Sequence, residues 1–293
     1  MDNPPAIASI LPILKDRFLA VNRERWFRWV ASHTDYRPAA GFFDAFPRFF
    51  VTSETASEPD RLNQRHRALI QPNVDIVRGR RVLDIASHDG RWSFAAHKAG
   101  AEYVLGIEAR QHLVEMARDN MREYGVPENS VEFMQGDVLT ELDRLECGSF
   151  DTVLCFGFLY HIIDHMVLLR KIARLKPMNL VIDTAITIHP GSIIRTKDEA
   201  VLHESAGAVG DPGDPARTVV GVPSRAALEL MLRAAGFPAV HYYDWAQAGI
   251  KRWADLKDYY LGTRVSLTAA ADHRDAVNLG SGGDSVGETQ QVA

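Results

Sequence analysis

Cysteine is almost missing from this chain. Its 293 residues hold two, Cys147 and Cys155, too few for a disulfide framework or a cysteine-ligated zinc site, and a reducing compartment fits that scarcity. Also missing is any apolar run approaching the roughly 20 residues that a membrane-spanning helix needs. The opening "MDNPPAIASILPILKDRF" has no basic leader segment, and Pro12 and Lys15 break its apolar stretch, so it reads as neither a signal peptide nor a span. Basic residues are in deficit, 33 Lys and Arg against 38 Asp and Glu, a formal net charge of -5. That balance offers no general attraction to nucleic acid or anionic lipid. The expectation is a cytoplasmic protein with a small-molecule partner, no membrane and no nucleic acid; oligomeric state is not readable. No internal repeat is present.

What is present falls into three parts. Residues 1–79 are an aromatic extension of helical character, with "RERWFRWV", "AGFFDAFPRFF" and then a helix over "EPDRLNQRHRALIQPNVDIV" that a turn at Pro72 interrupts. Residues 80–272 carry alternating short strands and amphipathic helices. The strands read as "RVLDIA", "YVLGIE", "VEFMQGD", "SFDTVLCFG" and "NLVIDTAI", with "PAVHYYDW" later. The helices between them stop at Gly100, Gly125 and Pro177. This rhythm argues for an open, mostly parallel, doubly wound α/β sheet. Residues 187–222 interrupt it with "IHPGS" and "GDPGDPAR", turn chemistry that reads as an inserted lid. Residues 273–293 are Gly- and Ser-rich and read as a disordered tail.

In a doubly wound sheet, ligands collect at the carboxyl ends of the strands. After the first strand come Asp84, Ala86, Ser87, His88 and Gly90, a turn that brings a helix N-terminus to a ligand although it holds a single glycine. The second strand ends in Glu108, able to accept both hydroxyls of a ribose, with Ala109 beside it. The third ends at Asp137, placed to accept from an exocyclic amine. The fourth carries Cys155, Phe156 and Gly157 and leads to Tyr160 and His161. One such strand end could be incidental; four in succession make a nucleotide-cofactor site.

These motifs resemble the class I S-adenosylmethionine-dependent methyltransferases over about Arg81 to Ile186. The family carries an acid followed by three alternating glycines, where "DIASHDG" keeps Asp84 and Gly90 but has Ala86 and His88 at the other two glycine positions. The resemblance implies a Rossmann-like, seven-stranded sheet and S-adenosylmethionine as cofactor. It also implies that the loop wraps the methionine part, Glu108 holds the ribose, Asp137 and Val138 meet adenine, and Cys155 and Phe156 lie beside the methionine. "GFLYH" is similar to the same stretch in tRNA wobble-uridine carboxymethyltransferases, whose cofactor is carboxylated. Arg65 is placed to reach such a carboxylate.

Methyl transfer is an in-line displacement that depends on alignment. A hydroxyl acceptor also needs its proton removed, which suits a histidine. His161 is the expected base and Tyr160 its neighbour on the substrate side. Asp164, His165, Asp183 and His189 form a looser pool at the same edge, and no ligand spacing among them indicates a metal. The primary expectation is O-methylation of a small molecule. The alternatives are a wobble-uridine transferase and a cofactor-binding protein without catalysis.

Overall fold

Two periodicities alternate from Arg81 onward, apolar pairs two residues apart in strands and three to four apart in helices. A computed structural model describes residues 41–53, 58–201, 208–246 and 253–272. The readings of "RERWFRWV" and of the tail fall outside those residues.

In chain order the helices are α1 (Arg48–Thr52), α2 (Pro59–Leu69), α3 (Val74–Val77), α4 (Arg91–Lys98), α5 (Gln111–Glu123), α6 (Val138–Arg144), α7 (His165–Arg174), α8 (Arg225–Ala234) and α9 (Trp253–Tyr260). The strands are β1 (Arg81–Ile85), β2 (Tyr103–Glu108), β3 (Val131–Gln135), β4 (Thr152–Phe156), β5 (Asn179–Ala185), β6 (Ile194–Ala200), β7 (Arg217–Pro223), β8 (Ala239–Tyr242) and β9 (Arg264–Ala270). Seven of them form one sheet in the order β3-β2-β1-β4-β5-β9-β8, parallel except for β9, which runs antiparallel to both β5 and β8. The order reverses between β1 and β4, so the crevice at a topological switch point opens at their carboxyl ends.

Alternation along the strands divides the core. Leu83 and Ile85 of β1, with Val153 and Cys155 of β4, pack toward Leu168, Leu169 and Ile172 of α7 and Leu228 and Leu232 of α8. Val82 and Leu154 face the other way, toward Trp92 and Phe94 of α4 and Val114 of α5. Phe43 and Phe49, both fully buried, seal that second layer, and Phe46 meets Phe94 edge-on with ring centroids 4.7 Å apart. The described part of the aromatic extension therefore packs against the domain.

The insertion differs from its expected reading as turns alone. β6 and β7 pair as an antiparallel hairpin, while the turn residues Gly210 to Asp214 lie in the connection between them. β6 ("IRTKDEA") has no apolar periodicity, and its backbone is satisfied by pairing with β7. The hairpin is tied down at its base, where β6 begins and β7 ends. His165 Nε2 lies 3.0 Å from the carbonyls of Leu159 and Gly221, and Ser224 Oγ donates to Gly191 O while accepting from Ile193 N and Ala227 N. Among the described residues no helix is long and apolar enough to cross a membrane.

Candidate active site

The loop after β1 is shaped by alternating left-handed residues. Ala86, His88 and Gly90 have φ of 55°, 53° and 78°, so alanine and histidine adopt the left-handed conformation that glycine takes without a Cβ penalty. A non-glycine residue there costs roughly 1–2 kcal/mol, although histidine is among the residues that tolerate it. The loop keeps its shape without the glycines. Glu108 ties the middle of this loop to the connection after β2, accepting from the backbone N–H of His88 and of Arg110, both at 3.1 Å.

A cavity of about 500 Å³ opens at the carboxyl ends of β1, β2 and β4. Ala86, His88, Glu108 and Ala109 line one side, Asp137 and Val138 another. Phe156, Gly157, Tyr160 and His161 form the wall beyond β4, and Arg65 closes one end. The structure thus brings most of the expected residues together. Asp84, Ser87, Gly90 and Cys155 do not line the cavity and act from beneath. Asp84 accepts from Ser93 Oγ at 2.6 Å, and Gly90 sits where a Cβ would come within 2.7 Å of Phe133. The Ser87 hydroxyl is buried in the direction of Gly106. Cys155 points into the core, and burial pushes its thiol up to about 12. The alternation of β4 places the Cys155 side chain in the core layer against α7, 1% exposed. Asp137 lines the cavity but also caps α6, its Oδ1 accepting from Thr140 N and Thr140 Oγ1 at 3.0 and 3.1 Å.

His161 sits in a short 3₁₀ turn after β4, its Nδ1 3.1 Å from Glu199 Oε2. Glu199 comes from β6 of the insertion, on a polar strand whose sequence gave no sign of a role. Burial lowers the His161 pKa and Glu199 opposes that effect without overcoming it. The ring is therefore neutral at pH 7, with Nδ1–H donated to Glu199 and Nε2 free as an acceptor.

The end beyond Tyr160 is built on Asp183, fully buried at the close of β5. Its carboxylate accepts from Arg65 Nε at 3.1 Å, from Tyr259 Oη at 2.6 Å and from Arg264 Nε. Burial opposes the charge on Asp183, but Arg264 and Arg65 outweigh it and hold its pKa below the usual carboxylate range. Arg61 lies close by, paired through both terminal nitrogens with Asp258. Arg264 Nη1 is 3.5 Å from Tyr160 Oη, and a Cβ added at Gly157 (φ 79°) would meet Arg264 Nη2 at 3.5 Å. Both Arg65 and Arg264 spend their Nε on Asp183 and line the cavity with the rest of their guanidinium groups. β9, and with it Arg264, escaped the sequence reading, because "RVSLTAA" is mostly small and polar.

The looser pool disperses. Asp164 lines the cavity mouth, His165 fastens β7, Asp183 is the buried anchor, and His189 is exposed with Nδ1 accepting from Gly191 N at 3.0 Å. Among the described residues no three metal-ligating side chains converge.

Comparison with known proteins follows the same lines. Residues 82–177 match the family model for a methyltransferase domain. A tRNA U34 carboxymethyltransferase of Azotobacter vinelandii is 31% identical over 217 residues, 70% of this chain and 59% of the relative. One of Pseudomonas savastanoi pv. phaseolicola is 30% identical over 203 residues, 65% of this chain and 57% of the relative. The chain spans less than two thirds of the length of these relatives. Among solved structures, the N-terminal domain of EvdMO1 with SAH bound superposes with a TM-score of 0.51 at 22% identity, covering 70% of this chain and 83% of that one. A putative S-adenosylmethionine dependent methyltransferase of Listeria monocytogenes gives 0.50 at 14%, covering 75% and 98%. These two likenesses establish the fold. The relatives correct one expectation: net charge argued against a nucleic-acid partner, yet both of these curated relatives are named tRNA U34 carboxymethyltransferases. A whole-chain balance of -5 does not describe a single site: five arginines, Arg61, Arg65, Arg91, Arg110 and Arg264, line one cavity together with four acids, Glu108, Asp137, Asp164 and Asp211.

Proposed function

The chain carries a methyltransferase domain of the S-adenosylmethionine-dependent, Rossmann-like family, and from that premise we propose that it transfers a one-carbon group from the cofactor to a hydroxyl oxygen held at His161. The observation that carries this reading is the His161–Glu199 pair, at 3.1 Å, lining the same cavity as the β1 loop and Glu108.

The residues present fit the cofactor. Glu108 stands at the end of β2 where ribose hydroxyls are met in this fold, and the buried Nε of Arg91, on the loop side, has no partner. Gly157 leaves the wall beside Arg264 open. Glu108 and the β1 loop would hold the ribose and the amino-acid part, and Asp137 and Val138 would face adenine. When bound, the cofactor supplies an electrophilic carbon on a sulfonium sulfur. The chain aligns the acceptor with that carbon, and His161 Nε2 takes the hydroxyl proton while Glu199 holds the ring and steadies the imidazolium that forms. Acid–base help of this kind is worth roughly 10²–10⁴-fold in rate.

A second reading has its own support: the donor is carboxylated and the acceptor is a tRNA wobble uridine. The guanidinium ends of Arg65 and Arg264, with the Tyr160 hydroxyl, make a cationic recess suited to a carboxylate, and the relatives bear the matching name. Both readings use His161 in the same way. The test incubates the protein with S-adenosylmethionine or its carboxylated form, each with bulk tRNA and with fractionated small molecules, and reads products by mass spectrometry. Methyl transfer to a hydroxyl supports the first reading and carboxymethyl transfer to tRNA the second. Transfer from neither donor to any acceptor refutes both.

A further inference from the structure

The β1 loop holds a charged assembly for which a glycine loop has no counterpart. Arg91, the first residue of α4, is held by the fully buried carboxylate of Asp89, which also accepts from Thr52 Oγ1 at 2.7 Å. Burial opposes the Asp89 charge, and Arg91 outweighs it. Asn120 Nδ2 donates to the Asp89 carbonyl at 2.9 Å, so α5 braces the loop from behind. Arg91 Nη1 also lies 3.0 Å from His88 Nδ1. The same Nδ1 lies 3.5 Å from Asp89 Oδ1, so the ring, the guanidinium and the carboxylate form one contact set. Every hydrogen bond of the Arg91 side chain to a described residue runs through Nη1, and Nε is buried without a partner. That leaves Nη2 as the terminal guanidinium nitrogen with no hydrogen bond to a described residue.

Both side chains line the cavity, His88 20% and Arg91 14% exposed. Trp92, the next residue, lies under the Arg65 guanidinium at 5.0 Å, so this corner faces the cationic end. Asp89 is already committed, which leaves the corner with donors and no free acceptor. We propose that His88 and Arg91 form a side-chain clamp for the α-carboxylate at the amino-acid end of the cofactor, a task that backbone amides alone perform in a glycine loop. The His88 ring and Arg91 Nη2 are the contacts, and Asp89 is the positioning residue. The left-handed strain at His88 is then the cost of placing an imidazole where glycine would leave space.

The inference rests on the cofactor reading above, and calorimetry separates the two. The probes are S-adenosylhomocysteine and 5′-methylthioadenosine, which share the nucleoside thioether but differ in the amino-acid arm. His88→Gly keeps the left-handed backbone, and Arg91→Lys keeps a cation beside Asp89 while removing the fork. Each variant is expected to bind S-adenosylhomocysteine about tenfold more weakly, the least that loss of a charge-assisted hydrogen bond brings, with methylthioadenosine affinity unchanged. Equal losses for both ligands, or no loss for either, overturn the clamp and leave the cofactor reading standing. Failure of the wild type to bind either ligand overturns the cofactor reading, and the clamp with it.

Discussion

Asp84→Asn changes one atom and should change how the fold responds to pH. Asp84 is 1% exposed near the end of β1. Burial raises its pKa from 3.8 to about 7, with the Ser93 hydrogen bond and the Arg91 charge restraining the rise. The folded state therefore holds this proton more tightly than the unfolded chain does. Stability is complete below the unfolded value and falls as pH climbs, levelling off above about 7. A gap of about three pH units at about 1.4 kcal/mol each amounts to ~4 kcal/mol, of which ~3 kcal/mol falls between pH 5 and pH 8. Asparagine cannot ionise and keeps an acceptor for Ser93, so its contribution is flat across that range. The assay is urea unfolding of both proteins at pH 5 and pH 8. The variant should gain on the wild type by ~3 kcal/mol between the two, a relative shift in midpoint of about 1 M. Parallel pH dependence in the two proteins would refute a neutral, buried Asp84.

His161→Ala should lower turnover by about 10²-fold or more while leaving the Kd for S-adenosylhomocysteine unchanged; equal loss of both would remove the general-base role. Wild-type activity should rise with pH through a value below the ordinary histidine range, because only the neutral ring accepts a proton and burial lowers its pKa. Glu199→Gln removes the group that opposes that lowering, so kcat should fall and the acid limb of the pH–rate profile should move further down. A limb that moves up would contradict the pairing. Ser224→Ala strips three hydrogen bonds from a fully buried hydroxyl and should cost about 1–2 kcal/mol, read as a fall in the Tm.

The parallel half of the sheet was legible because β1, β2, β4 and β5 are mostly apolar runs, as buried strands must be. Glu108 and His88 followed from the ends of those runs. What escaped depends on non-local pairing. β6 is a solvent-exposed strand with polar residues on both faces, so Glu199, 38 positions from His161, carried no local mark. β9 is a central strand of small residues in which buried Arg264 and Ser266 mask the signal, and its register against β5 follows from no local pattern. Arg91 reads as a helix-start cation until the loop dihedrals turn it toward His88.

The place of β9 in the sheet has a consequence for the order of events on the ribosome. β8 pairs with β9 alone within the sheet, and β5 has β9 as its outer neighbour. Until residue 270 leaves the exit tunnel, β5 is an open edge and β8 has no place to dock. Asp183 meanwhile waits without Arg264 and Tyr259. At roughly 5–20 residues per second, the interval between β5 and β9 lasts about 4–16 seconds of synthesis, during which an unpaired central strand is exposed to other chains. The cationic recess cannot assemble before that interval ends, so a chain cut short anywhere before β9 would carry the cofactor loop without the recess opposite it.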